Sequence, residues 1–289
     1  MEGKRDLLHL YGTLDVLIYY SKISKELGKF LRSKKIATKI HLPRFFFLKR
    51  GSKEPPLYIQ DMWCVDERML KLRGKYLKEV KQELSEKQRL VWDYFPPRKL
   101  IDFFYATNDE GRGKAIERVF IDIDRKKHSA DEARKVAFAL IDEIKKDKEF
   151  NRKLKYRIVV LWTGNSFHVY LLLKKKINLE FYNKHLSYGE KRQDSFIMKW
   201  AFEISQKTKI PVSAGHEKSK KFIILDSSNT PSGKLARAPF SLHISNNKID
   251  GVCIPVSLNE LKDKALIARL DALTPEKVLK NLNAYSKLL

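Results

Sequence analysis

Asp122 and Asp124 stand two residues apart in the apolar run ERVFIDID, residues 117–124. In a β-strand, side chains two apart share a face, so both carboxylates point one way while Val119, Ile121 and Ile123 point the other. Two carboxylates at that spacing repel, and their charge is met by protonation, by basic side chains or by a divalent cation. Mg²⁺ takes a few carboxylates and fills its shell with water and phosphate oxygens, so such a pair at a strand end suits phosphoryl transfer. The structural alternative bridges the pair to Arg125, Lys126 or Lys127, the next residues in the chain.

Other polar points fall at the ends of apolar strands. In WTGNSFHVYLLL (162–173) the turn Thr163-Gly164-Asn165-Ser166 leads into a strand bearing His168, with Phe167, Val169 and Leu171 on the opposite face. Such a turn presents backbone N–H groups that can receive phosphate, and His168 can donate to the same anion. A histidine hydrogen-bonded inside a core is the alternative. Asp226 closes FIILD (222–226), either as a third carboxylate or as the first residue of a turn. KLARAPFSLH (234–243) adds Arg237 and His243 close behind it.

The elements that must position these residues follow from periodicity and capping. Helical spacing of apolar residues predicts a helix over 6–33. PRFFFLKRG (43–51) and PPLYIQDMW (55–63) read as two strands around a turn at Gly51-Ser52-Lys53, followed by a long charged helix over about 65–91 that FPPRK (95–99) breaks. Ser129 and Glu132 form a capping box, and Ala133, Val136, Ala137, Leu140, Ile141 and Ile144 make one apolar stripe, so 129–147 is a helix packed on a sheet. YRIVVLW (156–162) and FHVYLLL (167–173) spell a β-hairpin, a helix occupies about 195–207, and KKFIILD is a further strand. Thr274 as N-cap and Pro275 at the first helical position predict a last helix running to the C terminus.

Composition bounds the function. With 59 Lys+Arg against 35 Asp+Glu, the 289-residue chain carries a formal charge of +24, which points to a polyanionic partner, nucleic acid before an anionic membrane surface. The basic residues are spread along the whole chain, as in a charged groove built from several elements. A lysine-rich or heat-adapted surface is the bland alternative. No apolar run is long enough for a membrane span and the start does not resemble a signal peptide, so the expectation is a cytoplasmic protein associated with DNA or the nucleoid, with no membrane partner. Cys64 and Cys253 are far apart and suggest neither a disulfide nor a zinc site.

Taken in order, VFIDID, TGNSFHVYL, ILD and RAPFSLHISNNKIDGVCIPV resemble the archaeo-eukaryotic primase superfamily, with the primase small (catalytic) subunit as the nearest pattern. PRFFFLKRG and FFYATND are similar to earlier segments of that family, so the likeness extends over about residues 15–258. The resemblance implies an α+β primase-polymerase fold of mixed and antiparallel sheets, an RRM-like half and an N-terminal αβ half, flanked by helices. It implies one catalytic domain over 1–289, with an N-terminal subregion 1–100, a catalytic subregion 101–258 and a C-terminal helical segment 259–289.

Asp122, Asp124 and Asp226 match the family's catalytic metal ligands for a pair of Mg²⁺ or Mn²⁺ ions. Thr163, Gly164, Asn165, Ser166 and His168 match one nucleotide-binding segment, Arg237, Ser241 and His243 a second, and Arg44 a further contact. Phe45 stands where the family has a glutamate, which weakens the match there. A family zinc module is missing after the DxD strand, so no structural zinc is expected; that form is similar to primase-polymerases and to the polymerase domains of end-joining ligases. The implied partners are a single-stranded DNA template, a primer-template duplex, nucleoside triphosphates and a separate primase large subunit or helicase. A repair polymerase that only extends ends, and a non-catalytic nucleic-acid-binding subunit, are the competing readings.

Overall fold

In the computed structural model, residues 15–51, 55–108, 114–188, 195–215 and 220–289 are described. Residues 6–14 of the expected first helix, Ser52 and Lys53 of the expected turn, and Asp109 of FFYATND lie outside them. The strands are β1 (Lys35–His41), β2 (Phe46–Lys49), β3 (Leu57–Tyr58), β4 (Ile101–Ala106), β5 (Ile116–Asp124), β6 (Tyr156–Trp162), β7 (Phe167–Ile177), β8 (Val212–Ala214), β9 (Ile223–Asp226), β10 (Leu235–Arg237), β11 (Leu242–Ser245), β12 (Lys248–Val252) and β13 (Ile254–Val256). The class is α+β, with antiparallel and mixed sheets flanked by helices. Two compact units share the chain: 1–105 with 237–252 and 274–287, and 106–236 with 253–273 and 288–289.

In the first unit, β1 pairs antiparallel with β4 on one edge and with both β2 and β3 on the other. The two strands expected on either side of Gly51 form, but the second is only Leu57–Tyr58, since Ile59–Cys64 is a 3-10 helix; Leu57 and Tyr58 align with Ile36 and Lys35, so both short strands use β1 as their partner. The helix Val16–Leu27 starts at Asp15, whose carboxylate accepts from Leu17 N–H, and buries Leu17, Ile18, Tyr20 and Ile23. It stops at Leu27, earlier than expected, where Gly28 follows. The long helix expected over 65–91 is broken into Glu67–Leu72, Leu77–Val80, a 3-10 turn and Glu86–Tyr94. The first piece ends at its C-cap Arg73, and the capping box of Ser85 with Gln88 restarts the helical ladder.

Long-range hydrogen bonds attach 237–252 to this unit. Tyr19 hydroxyl donates to Phe240 carbonyl at 2.9 Å, Tyr20 hydroxyl accepts from Leu242 N–H at 3.1 Å, and Ser241 hydroxyl accepts from Phe103 N–H at 2.9 Å. β11 and β12 form a hairpin closed by Asn246 and Asn247, both at positive φ, as a tight two-residue turn requires. The last helix is two pieces, Pro275–Lys280 and Leu282–Ser286, separated at Asn281, where the backbone leaves helical geometry.

The second unit is a sheet in the order β13-β6-β7-β5-β9-β8, antiparallel except for β8 and β9. The capped helix Ala130–Lys146 forms as its stripe predicts and packs on β5 and β7, with Phe196–Thr208 beside it. Val119, Ile121 and Ile123 are fully buried. At about 25 cal/mol per Å² of apolar area, that packing makes the strand a stiff platform for whatever its other face carries.

Candidate active site

β5 is central, and its register sets the site. Asp122 is paired across to His168 of β7 on one side and to Asp226 of β9 on the other. Directly opposed residues carry Cβ atoms about 4.5–5.5 Å apart, so His168, Asp122 and Asp226 form one row across three strands, with Asp124 one step further along the same face. The same face continues behind them as Phe120 and Tyr170, whose rings meet at 5.1 Å, with Phe120 and the His168 ring at 4.7 Å edge to face.

Each carboxylate has a neighbour. Asp122 Oδ1 lies 3.3 Å from His168 Nε2, and Asp124 Oδ2 lies 2.6 Å from Lys126 Nζ. Asp226 Oδ1 accepts from Ser228 N–H at 2.7 Å and from the Tyr188 hydroxyl at 3.3 Å. Burial, and then the Asp226 charge, push the Tyr188 hydroxyl well above its ordinary range, so it stays a protonated donor. The lysine bridge foreseen as the structural alternative is thus present at Asp124. Among the described residues, no three His, Cys, Asp or Glu side chains are gathered closely enough to enclose an ion as they stand. The donor chemistry still fits a hard divalent cation: three carboxylates on one face, with Asp122 and Asp124 34% and 44% exposed.

The turn at 163–166 is built from its own side chains. Thr163 hydroxyl accepts from Ser166 N–H at 3.0 Å, Thr163 N–H donates to Ser166 carbonyl at 2.9 Å, and Gly164 sits at φ 92°, where a Cβ would be strained. Ser166 hydroxyl donates to Ile123 carbonyl, so it ties the turn to β5. Arg125 completes the clamp: its Nε donates to Asn165 carbonyl at 2.8 Å and its Nη2 to Asn165 Oδ1 at 2.5 Å. His168 Nε2 faces Asp122, while Nδ1 is buried without a partner.

Behind Asp122, no strand among the described residues pairs with the β9 side of β5. Thr230 hydroxyl accepts from Phe120 N–H at 2.9 Å and donates to Phe120 carbonyl at 3.0 Å. Asn108 Oδ1 accepts from the N–H groups of Glu117 and Arg118, and its Nδ2 donates to Arg118 carbonyl at 2.8 Å. These two buried side chains finish the ladder that β9 leaves at Asp226.

The remaining predicted residues belong to the first unit and meet around Asp102, a carboxylate that is 1% exposed. Arg237 Nη1 donates to Asp102 Oδ1 at 2.8 Å and to Leu242 carbonyl at 2.7 Å, and lies 3.3 Å from Ser241 Oγ. His41 Nε2 lies 2.8 Å from Asp102 Oδ2, with Lys39 Nζ at 4.0 Å. Burial alone would raise the Asp102 carboxyl; His41 and Arg237 outweigh it and hold it below the usual range. Burial, reinforced by Arg237, lowers His243, whose Nδ1 is 3.8 Å from Asp250 and buried without a hydrogen bond. Arg44 is exposed at the β1–β2 turn, outside this cluster. The sequence did not single out Asp102, His41, Lys39, Asn108, Thr230 or Tyr188, and it offered Arg125 as a bridge to the aspartates, whereas its guanidinium bonds Asn165.

No protein-family model and no curated protein matches the sequence. A solved structure does match the fold: the polymerase domain from Mycobacterium tuberculosis ligase D in complex with DNA, with a TM-score of 0.60 and 16% identity over 97% of this chain and 92% of that one. No helix among the described residues is long and apolar enough to cross a membrane.

Proposed function

We propose that this chain is a template-directed nucleotidyl transferase of the primase-polymerase type, which adds nucleotides to a nucleic-acid 3′ end and releases pyrophosphate. The observation that carries the reading is the strand register: Asp122 opposite Asp226, with Asp124 on the same face and His168 flanking. A fold that resembles a DNA-bound polymerase domain, and a charge of +24 suited to phosphate backbones, support it.

Asp122, Asp124 and Asp226 would hold Mg²⁺ or Mn²⁺, which when bound lowers the pKa of an attacking hydroxyl and offsets charge on the triphosphate. The chain's own residues supply the rest. The sheet holds the three carboxylates in fixed register, so little reorganisation is needed when ligand arrives. Lys126 is a movable counter-charge for Asp124 until then. His168 is oriented by Asp122 and lies beside the Thr163–Ser166 turn, a suitable place to meet a phosphate oxygen. Arg237, Ser241, His243 and Arg44 are assigned to phosphate contacts on motif spelling, and nearness to the primase small subunit rests on the same spelling. A partner large subunit or helicase is part of this proposal.

Incorporation of labelled nucleotides on a primed template tests the reading. Asp122→Asn and Asp226→Asn should each abolish extension while leaving DNA affinity within about twofold; full activity in the double variant would exclude it. A second reading, extension of ends without initiation, is favoured by the likeness to a polymerase domain that belongs to a ligase, and an unprimed single-stranded template separates the two.

A further inference from the structure

Arg73 does something that nucleotidyl transfer does not call for. Its guanidinium is 1% exposed in the first unit, at the end of Glu67–Leu72. Nε and Nη2 donate side-on to Asp15 at 2.6 and 2.8 Å, and the guanidinium carbon sits 4.9 Å from the Trp92 ring centre. Nη1, on the corner remote from Asp15, is buried with no hydrogen-bond partner. An unpaired buried N–H on a charged group forfeits a bond worth about 1.5–3 kcal/mol. Arg73 also lines a cavity of about 140 Å³ with Trp92, Leu77, Pro97, Lys75 and Arg98.

The cavity is electrostatically one-sided. Asp15 neutralises Arg73, while Lys75 and Arg98 have no carboxylate partner among the described residues, so the rim carries two uncompensated cations over walls of Trp92, Leu77 and Pro97. Low-dielectric walls concentrate such a field. Arg98 is held at φ 59°, left-handed backbone that glycine or asparagine adopts at lower cost, and its Nη2 donates to the carbonyl of Gly74, another lining residue, at 3.2 Å. The structure thus spends backbone strain to keep a guanidinium there.

We propose that this cavity binds a phosphate group, with Nη1 of Arg73 as the buried donor and Lys75 and Arg98 as the rim. The phosphate can be free or part of a nucleic-acid strand; both present the same oxygens. The site shares no residue with the acidic centre and does not depend on the transferase reading.

Truncating Arg73 would strand Asp15, so the test uses Lys75→Gln with Arg98→Gly, and Lys145→Gln with Lys175→Gln as a control of equal charge loss on exposed residues outside the cavity. Calorimetric titration is run with inorganic phosphate and, separately, with a dT12 strand lacking terminal phosphates. The cavity variant should lose about tenfold or more in affinity for one or both probes, against at most about twofold for the control, since two charge-assisted donors are removed. A loss confined to the strand assigns the phosphate to nucleic acid; a loss with inorganic phosphate shows that the free ion suffices. Melting of the free variant should be unchanged or higher, because Arg98→Gly relieves the left-handed residue. Equal losses in the cavity and control variants with both probes would overturn the proposal.

Discussion

Replacing Asp102 by Ala should destabilise the protein by about 3 kcal/mol, and the reason can be tested within the same experiment. Removing one partner of a buried ion pair costs about 3–5 kcal/mol because the other charge stays buried without compensation. Arg237 would keep its 2.7 Å bond to Leu242 carbonyl and its nearness to Ser241, and it lies 5.1 Å from the Phe104 ring centre, so the lower end applies. With a urea slope of roughly 3 kcal/mol per M, the midpoint should fall by about 1 M. If the cost is the stranded cation, deleting that cation must recover most of it: Asp102→Ala with Arg237→Met should lose only about 1 kcal/mol, less than Asp102→Ala alone. Urea unfolding of wild type, both single variants and the double variant gives the coupling directly. Additive losses would refute the account, since they would mean that Asp102 and Arg237 act independently despite the 2.8 Å contact.

Thr230→Val leaves both backbone groups of Phe120 without partners and should cost about 2–4 kcal/mol, read as a urea midpoint shift. Ser129→Ala removes the cap of Ala130–Lys146 and should cost about 1 kcal/mol by the same measurement. His243 is held below its ordinary value near 6.5, so the unfolded chain takes up a proton there that the folded chain refuses; stability is full above that pH and falls below it, and urea midpoints at pH 5.5 and 7.5 should differ less in His243→Gln. Asp226→Asn removes a like charge opposite Asp122, so its melting temperature should equal or exceed that of wild type even as nucleotide incorporation is lost.

Much of the site's platform is legible in the sequence because strands and capped helices announce themselves locally. VFIDID, FHVYLLL and FIILD each alternate or run apolar up to a polar residue, and all three are strands of one sheet. Ser129 with Glu132 fixed the start of a helix to the residue. What sequence could not carry is pairing between distant strands: Asp122 against Asp226, or β2 and β3 sharing an edge of β1, are tertiary choices. The over-long helix at 65–91 shows the converse error, since periodicity continued through Gly74 and Ser85 while the backbone did not. LIDFFYA holds a carboxylate in an apolar run just as VFIDID does, and that signal would have found Asp102. Asn108 and Thr230 leave no such trace, because any loop Asn or Thr looks the same until the strand it completes is known.

Those two side chains have a consequence beyond the bonds they make. A β-strand rich in Val, Phe and Ile with one bare edge is a template onto which a second molecule can add its own strand. Along Glu117, Arg118 and Phe120 that edge is already occupied by an amide and a hydroxyl, which offer no further backbone to extend. The ladder therefore ends inside its own chain, and self-association by strand addition is blocked at the element that carries the carboxylates. Loss of Thr230 should show itself in light scattering of concentrated protein as well as in the unfolding midpoint.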